Sequence, residues 1–291
     1  MKKISIWLWL IVLASSAFSQ GKILESLSLK SNILSREVRY SIYLPADYET
    51  AQRHYPTLYL LHGYTDDETG WTQFGEVNSI ANEALAKPDC TPMIIAMPDA
   101  AATWYINDFA GKARYEDFFI KEFIPYIDSV YKTRSSKRYR AVAGLSMGGF
   151  GALMYAIKYP DLFAACAPLS AAVFTEEEFT AFNNDRWISL KFDEVYGKYT
   201  NGKSRLTAHY YQNSILQLAT TVPAAKLNTV RFYIDCGDKD FLIKGNMALH
   251  SILIDQKVKH EFRVRNGMHD WNYWRTALPE VLKFVSEAFH Q

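Results

Sequence analysis

The chain has 291 residues, with 32 Lys plus Arg against 31 Asp plus Glu, and 49% of it is apolar. That length holds one large α/β domain with a sizeable core. The balanced charge leaves no electrostatic footprint for nucleic acid or another polyanion, so nucleic acid is excluded as an expected partner.

The chain opens on the pattern of an export signal. Met1-Lys2-Lys3 is a basic start, residues 4–14 (ISIWLWLIVLA) are apolar, and residues 15–20 (SSAFSQ) supply small residues with a cleavage pattern near 17–19. The apolar run is well short of the ~20 residues a membrane-spanning helix needs. No cysteine follows it to carry a lipid. Residues 1–19 are therefore expected to be a cleaved signal peptide. The mature start falls near Gln20 or Gly21, with no stable membrane anchor and a secreted or periplasmic location. Residues 20–291 are expected to form one catalytic domain.

Residues 22–44 alternate polar and apolar and predict two antiparallel edge strands. Residues 57–61 read as a short buried strand ending at His62-Gly63. Residues 71–86 have helical periodicity. Residues 92–97 are another buried strand, closed by Pro98-Asp99. Residues 115–131 form an amphipathic helix with Phe118, Phe119, Phe123, Ile124 and Ile127 on one face. Strands follow at 138–143, 163–169, 230–236 and 260–265, and helices at 148–158, 241–256 and 274–289. The alternation predicts an α/β fold: a mostly parallel sheet with helices on both faces. Reactive groups in such a sheet sit at the carboxyl ends of its strands. Residues 173–228, after the sixth strand, break the rhythm. They are polar with scattered aromatics and are expected to be either a small helical cap over the site or a surface insertion.

The most informative stretch is AVAGLSMGGFGAL, residues 141–153. Its centre, Gly144-Leu145-Ser146-Met147-Gly148, is a G-x-S-x-G between a predicted strand and a predicted helix. A serine on such a tight turn is held in a strained conformation with its Oγ above the sheet. Glycines are needed at 144 and 148 because a Cβ there would collide with the turn's neighbours. The helix N-terminus aims free N–H groups and its positive dipole end at the same spot.

A serine hydroxyl needs a base. His269, on the loop after the strand at 260–265, is the candidate; His62, at the end of the first core strand, is assigned a different task. The imidazole in turn needs a carboxylate. The loop after the strand at 230–236 offers Asp235, Asp238 and Asp240. Asp235 lies in the strand end, and spacing does not choose between Asp238 and Asp240. The order Ser, Asp, His along the chain is that of the fold. Two backbone N–H groups should receive the oxyanion: Met147, directly after the nucleophile, and Tyr64, after His62-Gly63.

The cysteines are Cys90, Cys166 and Cys236, read as buried free thiols. No metal-ligand spacing is present among the seven His, so neither metal nor other cofactor is expected. The 19 Tyr, 17 Phe and 7 Trp suit an aromatic-lined pocket, although most must pack the core.

The runs LLHGYTDDETGW (60–71), AMPDA (96–100), GLSMGGFGAL (144–153), DCGDKDFL (235–242) and GMHDWNYW (267–274) resemble the esterase D-type α/β hydrolases. That group includes feruloyl and acetyl-xylan esterases of carbohydrate esterase family 1, tributyrin esterases, S-formylglutathione hydrolases and mycolyltransferases. The resemblance covers nearly all of the chain after the signal. It implies Asp240, in the C-G-x-x-D-like stretch, as the acid. It also implies aromatics beside the site at Trp104, Tyr105 and Trp271. The function it implies is a secreted serine esterase acting on a small ester or an acylated carbohydrate, feruloyl or acetyl. The alternatives are a broad short-chain carboxylesterase, an acyltransferase and a non-catalytic carbohydrate-binding relative. Residues 173–228 match no pattern of the family, and oligomeric state is left open.

Overall fold

The computed structural model describes residues 20–198 and 201–290. The expected signal peptide lies outside the described residues. Eight strands form one sheet in the order β1-β2-β4-β3-β5-β6-β7-β8. They are β1 (Lys22–Ser31), β2 (Arg36–Leu44), β3 (Thr57–Leu61), β4 (Ile94–Pro98), β5 (Arg140–Leu145), β6 (Ala165–Leu169), β7 (Arg231–Gly237) and β8 (His260–Arg265). β1 and β2 pair antiparallel, as the alternation predicts, and β2 joins β4 antiparallel. All other pairs are parallel.

The inner strands are apolar without alternation because both faces are covered. Leu58 and Leu60 of β3 face one side, Tyr59 and Leu61 the other; Ala141 and Ala143 of β5 oppose Val142 in the same way. On the first side lie α2 (Val77–Leu85) and α13 (Trp271–Ala288), through Val77, Ala81, Leu278 and Val281. On the second lie α3 (Tyr115–Phe118), α4 (Ile124–Val130), α5 (Met147–Lys158) and α12 (Ile243–Asp255).

Two predicted helices differ in detail. The helix expected over 71–86 is split into α1 (Gly70–Gln73) and α2. Glu76 takes a left-handed conformation at φ 52°, and a Cβ on Gly75 would lie 2.6 Å from the Trp71 ring and 2.8 Å from Trp271. The chain must break there to let two tryptophans meet. The helix expected over 115–131 is continuous, but Phe119–Phe123 between α3 and α4 is a π-helical turn. The wider turn keeps Phe118, Phe119 and Phe123 all fully buried.

The described residues of 173–228 form six short α-helices, α6 (Glu176–Ala181), α7 (Asn184–Ser189), α8 (Phe192–Val195), α9 (Ala208–Gln212), α10 (Ile215–Thr221) and α11 (Ala224–Leu227), and a 3-10 turn at Gly202–Arg205. They enclose an aromatic cluster in which Phe179 lies 4.4 Å from Tyr210 and 5.1 Å from Trp187 between ring centroids. The buried Arg205 guanidinium stacks 4.2 Å over Trp187. This cluster is continuous with the core on one face of the sheet, so the insertion is packed structure rather than loose surface. All three cysteines are buried thiols, unpaired with one another.

Candidate active site

β5 ends at Leu145 and α5 begins at Met147, so the turn between them is a single residue, Ser146. Its backbone sits at φ 53°, ψ −115°, a region an L-residue occupies only when its surroundings impose it. Three hydrogen bonds do so. The Ser146 N–H donates to Leu169 O (2.9 Å), and its carbonyl accepts from the N–H groups of Phe150 (3.0 Å) and Ala172 (2.9 Å). Glycine is obligatory at 148, where a Cβ would lie 2.4 Å from Leu61 O and 2.6 Å from His62 O. The start of α5 thus lies directly on the end of β3.

The Ser146 hydroxyl lies 2.9 Å from His269 Nε2, and His269 Nδ1 lies 2.9 Å from Asp240 Oδ2. The Nδ1–H tautomer donates to the carboxylate and leaves Nε2 to accept from the serine. The Asp240 carboxylate is fully buried, and its other oxygen accepts from the Leu242 N–H at 2.8 Å. The structure therefore brings Ser146, Asp240 and His269 together.

The two other aspartates of that stretch go elsewhere. Asp235 is fully buried and receives the Arg265 guanidinium (3.0 and 3.1 Å) and the hydroxyls of Tyr233 (3.0 Å) and Tyr273. Asp238 is exposed and accepts from the Gly267 N–H at 2.9 Å.

Met147 is the first residue of α5, so its N–H has no intrahelical acceptor. Across the cavity, Tyr64 follows a braced loop. His62 donates from Nδ1 to Gly63 O (2.8 Å) and accepts at Nε2 from the Ala100 N–H (2.8 Å). Burial lowers its pKa against the pull of Asp99, whose carboxylate lies 3.9 Å away, so the ring is neutral and serves both bonds. A protonated ring would set two N–H donors against each other at Nε2.

Ser146 and His269 open into a cavity of about 430 Å³ whose lining includes Tyr64, Asp66, Trp104, Phe241, Trp271 and Trp274. Three larger cavities, about 760, 620 and 570 Å³, are lined by neither Ser146 nor His269. Trp104 and Trp271 both reach the site, as the resemblance implies. Tyr105 does not, which corrects that expectation. It is fully buried, donates to His62 O (2.9 Å), and its ring fills the space beside Gly151, where a Cβ would lie 2.6 Å from it. Trp104 and Tyr105 are both left-handed, at φ 56° and 59°, and this kink turns one ring to the cavity and the next into the core.

Sequence reasoning missed Phe174, Arg186, Ser189 and Leu190, which the insertion contributes to the lining. No local motif marks them. Phe241 was findable: it follows the acid directly, and its ring lies 4.6 Å from His269. Asp66 was missed too. Burial first, then the Asp67 charge, push its carboxyl up to about 6, against the Gly63 N–H. Among the described residues no cluster of three or more His, Cys, Asp or Glu is arranged to hold a metal.

Residues 31–285 match the family described as "Putative esterase". The chain belongs to this esterase family. A solved ferulic acid esterase is 31% identical, with a TM-score of 0.79, over 93% of this chain and 99% of that one. An acetyl esterase of Caldicellulosiruptor saccharolyticus is 23% identical over 80% of this chain and 84% of its own. "Esterase MT1326" of Mycobacterium tuberculosis is 39% identical over 143 residues, 48% of this chain. The chain spans only 30% of that relative's length. The α/β-hydrolase fold of this family member places Ser146 at the carboxyl end of a central strand, with the insertion forming one wall of the cavity.

Proposed function

We propose that the protein is an exported serine esterase that removes acyl groups, feruloyl or acetyl, from carbohydrate. The reading is carried by one observation: the unbroken chain of hydrogen bonds from Ser146 Oγ through His269 to the buried Asp240. In the proposed cycle His269 Nε2 takes the Ser146 proton as Oγ attacks the ester carbonyl carbon. The carbonyl oxygen becomes an oxyanion facing the N–H groups of Met147 and Tyr64. As the intermediate collapses, the C–O bond to the alcohol breaks and His269 protonates the leaving oxygen. Water, deprotonated by the same imidazole, then attacks the acyl-enzyme, releasing the acid and restoring Ser146. Asp240 holds the tautomer and balances the imidazolium charge in each half of the cycle.

The substrate class is supported by the likeness to a ferulic acid esterase and an acetyl esterase. The aromatic lining from Trp104, Phe241 and Trp271 suits a planar acyl group or the face of a sugar. Export is supported by the N-terminal sequence alone.

The test is release of acid from p-nitrophenyl acetate, p-nitrophenyl butyrate, methyl ferulate and acetylated xylan by wild type and Ser146→Ala. Preference for methyl ferulate or acetylated xylan, lost in Ser146→Ala, is the expected result. Turnover that survives the substitution overturns the mechanism. Ser146-dependent turnover of the p-nitrophenyl esters alone leaves a broad short-chain carboxylesterase. N-terminal sequencing of the exported protein should begin near Gln20 or Gly21; an intact Met1 refutes cleavage.

A further inference from the structure

Asp240, not Asp238, meets the imidazole, yet the Asp238 carboxylate is engaged with the loop that carries His269. Beyond the last pair of the β7–β8 ladder, Gly237 with Arg265, the two strands' following loops continue to pair. Asp238 N–H donates to Arg265 O (2.8 Å), Lys239 N–H to Gly267 O (3.0 Å), and Lys239 Nζ to Asn266 Oδ1 (3.0 Å). The Gly267 N–H, two residues before His269, donates to Asp238 Oδ1 at 2.9 Å. The loops are so close that a Cβ on Gly237 would lie 2.4 Å from Gly267 O. The acid strand and the base loop are therefore cross-braced before Asp240 meets the imidazole.

We propose that Asp238 is a positioning residue: by fixing the Gly267 N–H it sets the path of the loop on which His269 is held between Asp240 and Ser146. The proposal rests on the esterase reading. Its physical ground is a difference in sensitivity. Asp238 is exposed, and an exposed hydrogen bond adds little to folding stability. The proton relay, in contrast, loses rate steeply when a reacting group is displaced by a fraction of an ångström to an ångström. Losing the anchor should therefore show in turnover before it shows in stability.

The test compares Asp238→Ala, Asp238→Asn and wild type on p-nitrophenyl acetate, with thermal midpoints measured alongside. Asparagine keeps an oxygen that accepts from the Gly267 N–H; alanine does not. Expected are a roughly tenfold fall in kcat for alanine, with KM and midpoint close to wild type, and recovery of most of that loss in asparagine. Wild-type kcat in the alanine variant overturns the proposal. So does an asparagine variant as slow as alanine, because the charge and not the hydrogen bond would then matter. So does a loss of kcat that comes with unfolding at the assay temperature, or an effect on KM alone. Ser146→Ala in the same assay separates the two ideas: activity there sinks the esterase reading whatever Asp238 does.

Discussion

The Tyr64 phenol donates a 2.6 Å hydrogen bond to the Ser189 carbonyl. The residue whose backbone N–H is proposed to receive the oxyanion thus ties down the end of α7 with its side chain. The Trp104 indole donates to the next carbonyl, Leu190 O, at 2.8 Å. Two cavity-lining rings of the hydrolase core hold adjacent carbonyls of the insertion.

Tyr64→Phe keeps the backbone N–H and loses only the tether, worth about 1 kcal/mol. The expected outcome is a roughly fivefold rise in KM for methyl ferulate, the ester with the bulkier acyl group, and little change for p-nitrophenyl acetate. Steady-state kinetics on the two esters checks this. An equal loss on both would place the effect at the reacting carbon instead.

Asp240→Asn should lower kcat by about 10³- to 10⁴-fold with the fold intact, by analogy with the serine-protease triad, because an amide favours the wrong imidazole tautomer. Circular dichroism and single-substrate kinetics are sufficient. A loss below tenfold would remove Asp240 from the relay.

Gly148→Ala places a methyl group 2.4 Å from Leu61 O, a backbone atom that cannot turn aside. Overpacking of this kind costs about 1–3 kcal/mol, so the thermal midpoint should fall. Displacing α5 also moves the Met147 N–H, so kcat should fall in the surviving folded protein. A variant with wild-type midpoint would show that the close approach of α5 to β3 is not tight.

Asp66 makes stability depend on pH in a definite direction. Its folded pKa of about 6 lies above the ordinary 3.8, so folding favours the protonated acid. That contribution is fully present below 3.8 and is lost as pH rises through about 6. Asp66→Asn keeps an acceptor for the Gly63 N–H and removes the charge. It should raise the thermal midpoint at pH 8 and leave it nearly unchanged at pH 3.5. The same gain at both values would show that the ionised form carries no penalty.

Much of the active site is legible in the sequence because its parts are local. A serine between two glycines, with an apolar strand before it and a helix after it, is fixed by steric needs within five residues. The mostly parallel sheet and the buried inner strands follow from apolar runs alternating with helical periods. His269 follows from its place after a late strand. The helix boundaries were less legible. Nothing in the residues at 74–76 announces that Glu76 turns left-handed to let Trp71 and Trp271 meet edge to face at 5.3 Å.

The sequence by itself pointed to Ser146 on its tight turn, to His269 and to the class of fold, because each depends on neighbours close along the chain. Only the tertiary structure decided where Asp235, Asp238 and Asp240 point, since two of them share one turn and their partners lie some 30 residues further on. Only it turned Trp104 to the cavity and Tyr105 into the core, through consecutive left-handed residues that no glycine or asparagine foretells. And only it brought Phe174, Arg186, Ser189 and Leu190 to the cavity wall, because that wall is made by packing an aromatic cluster onto the sheet's core rather than by any motif.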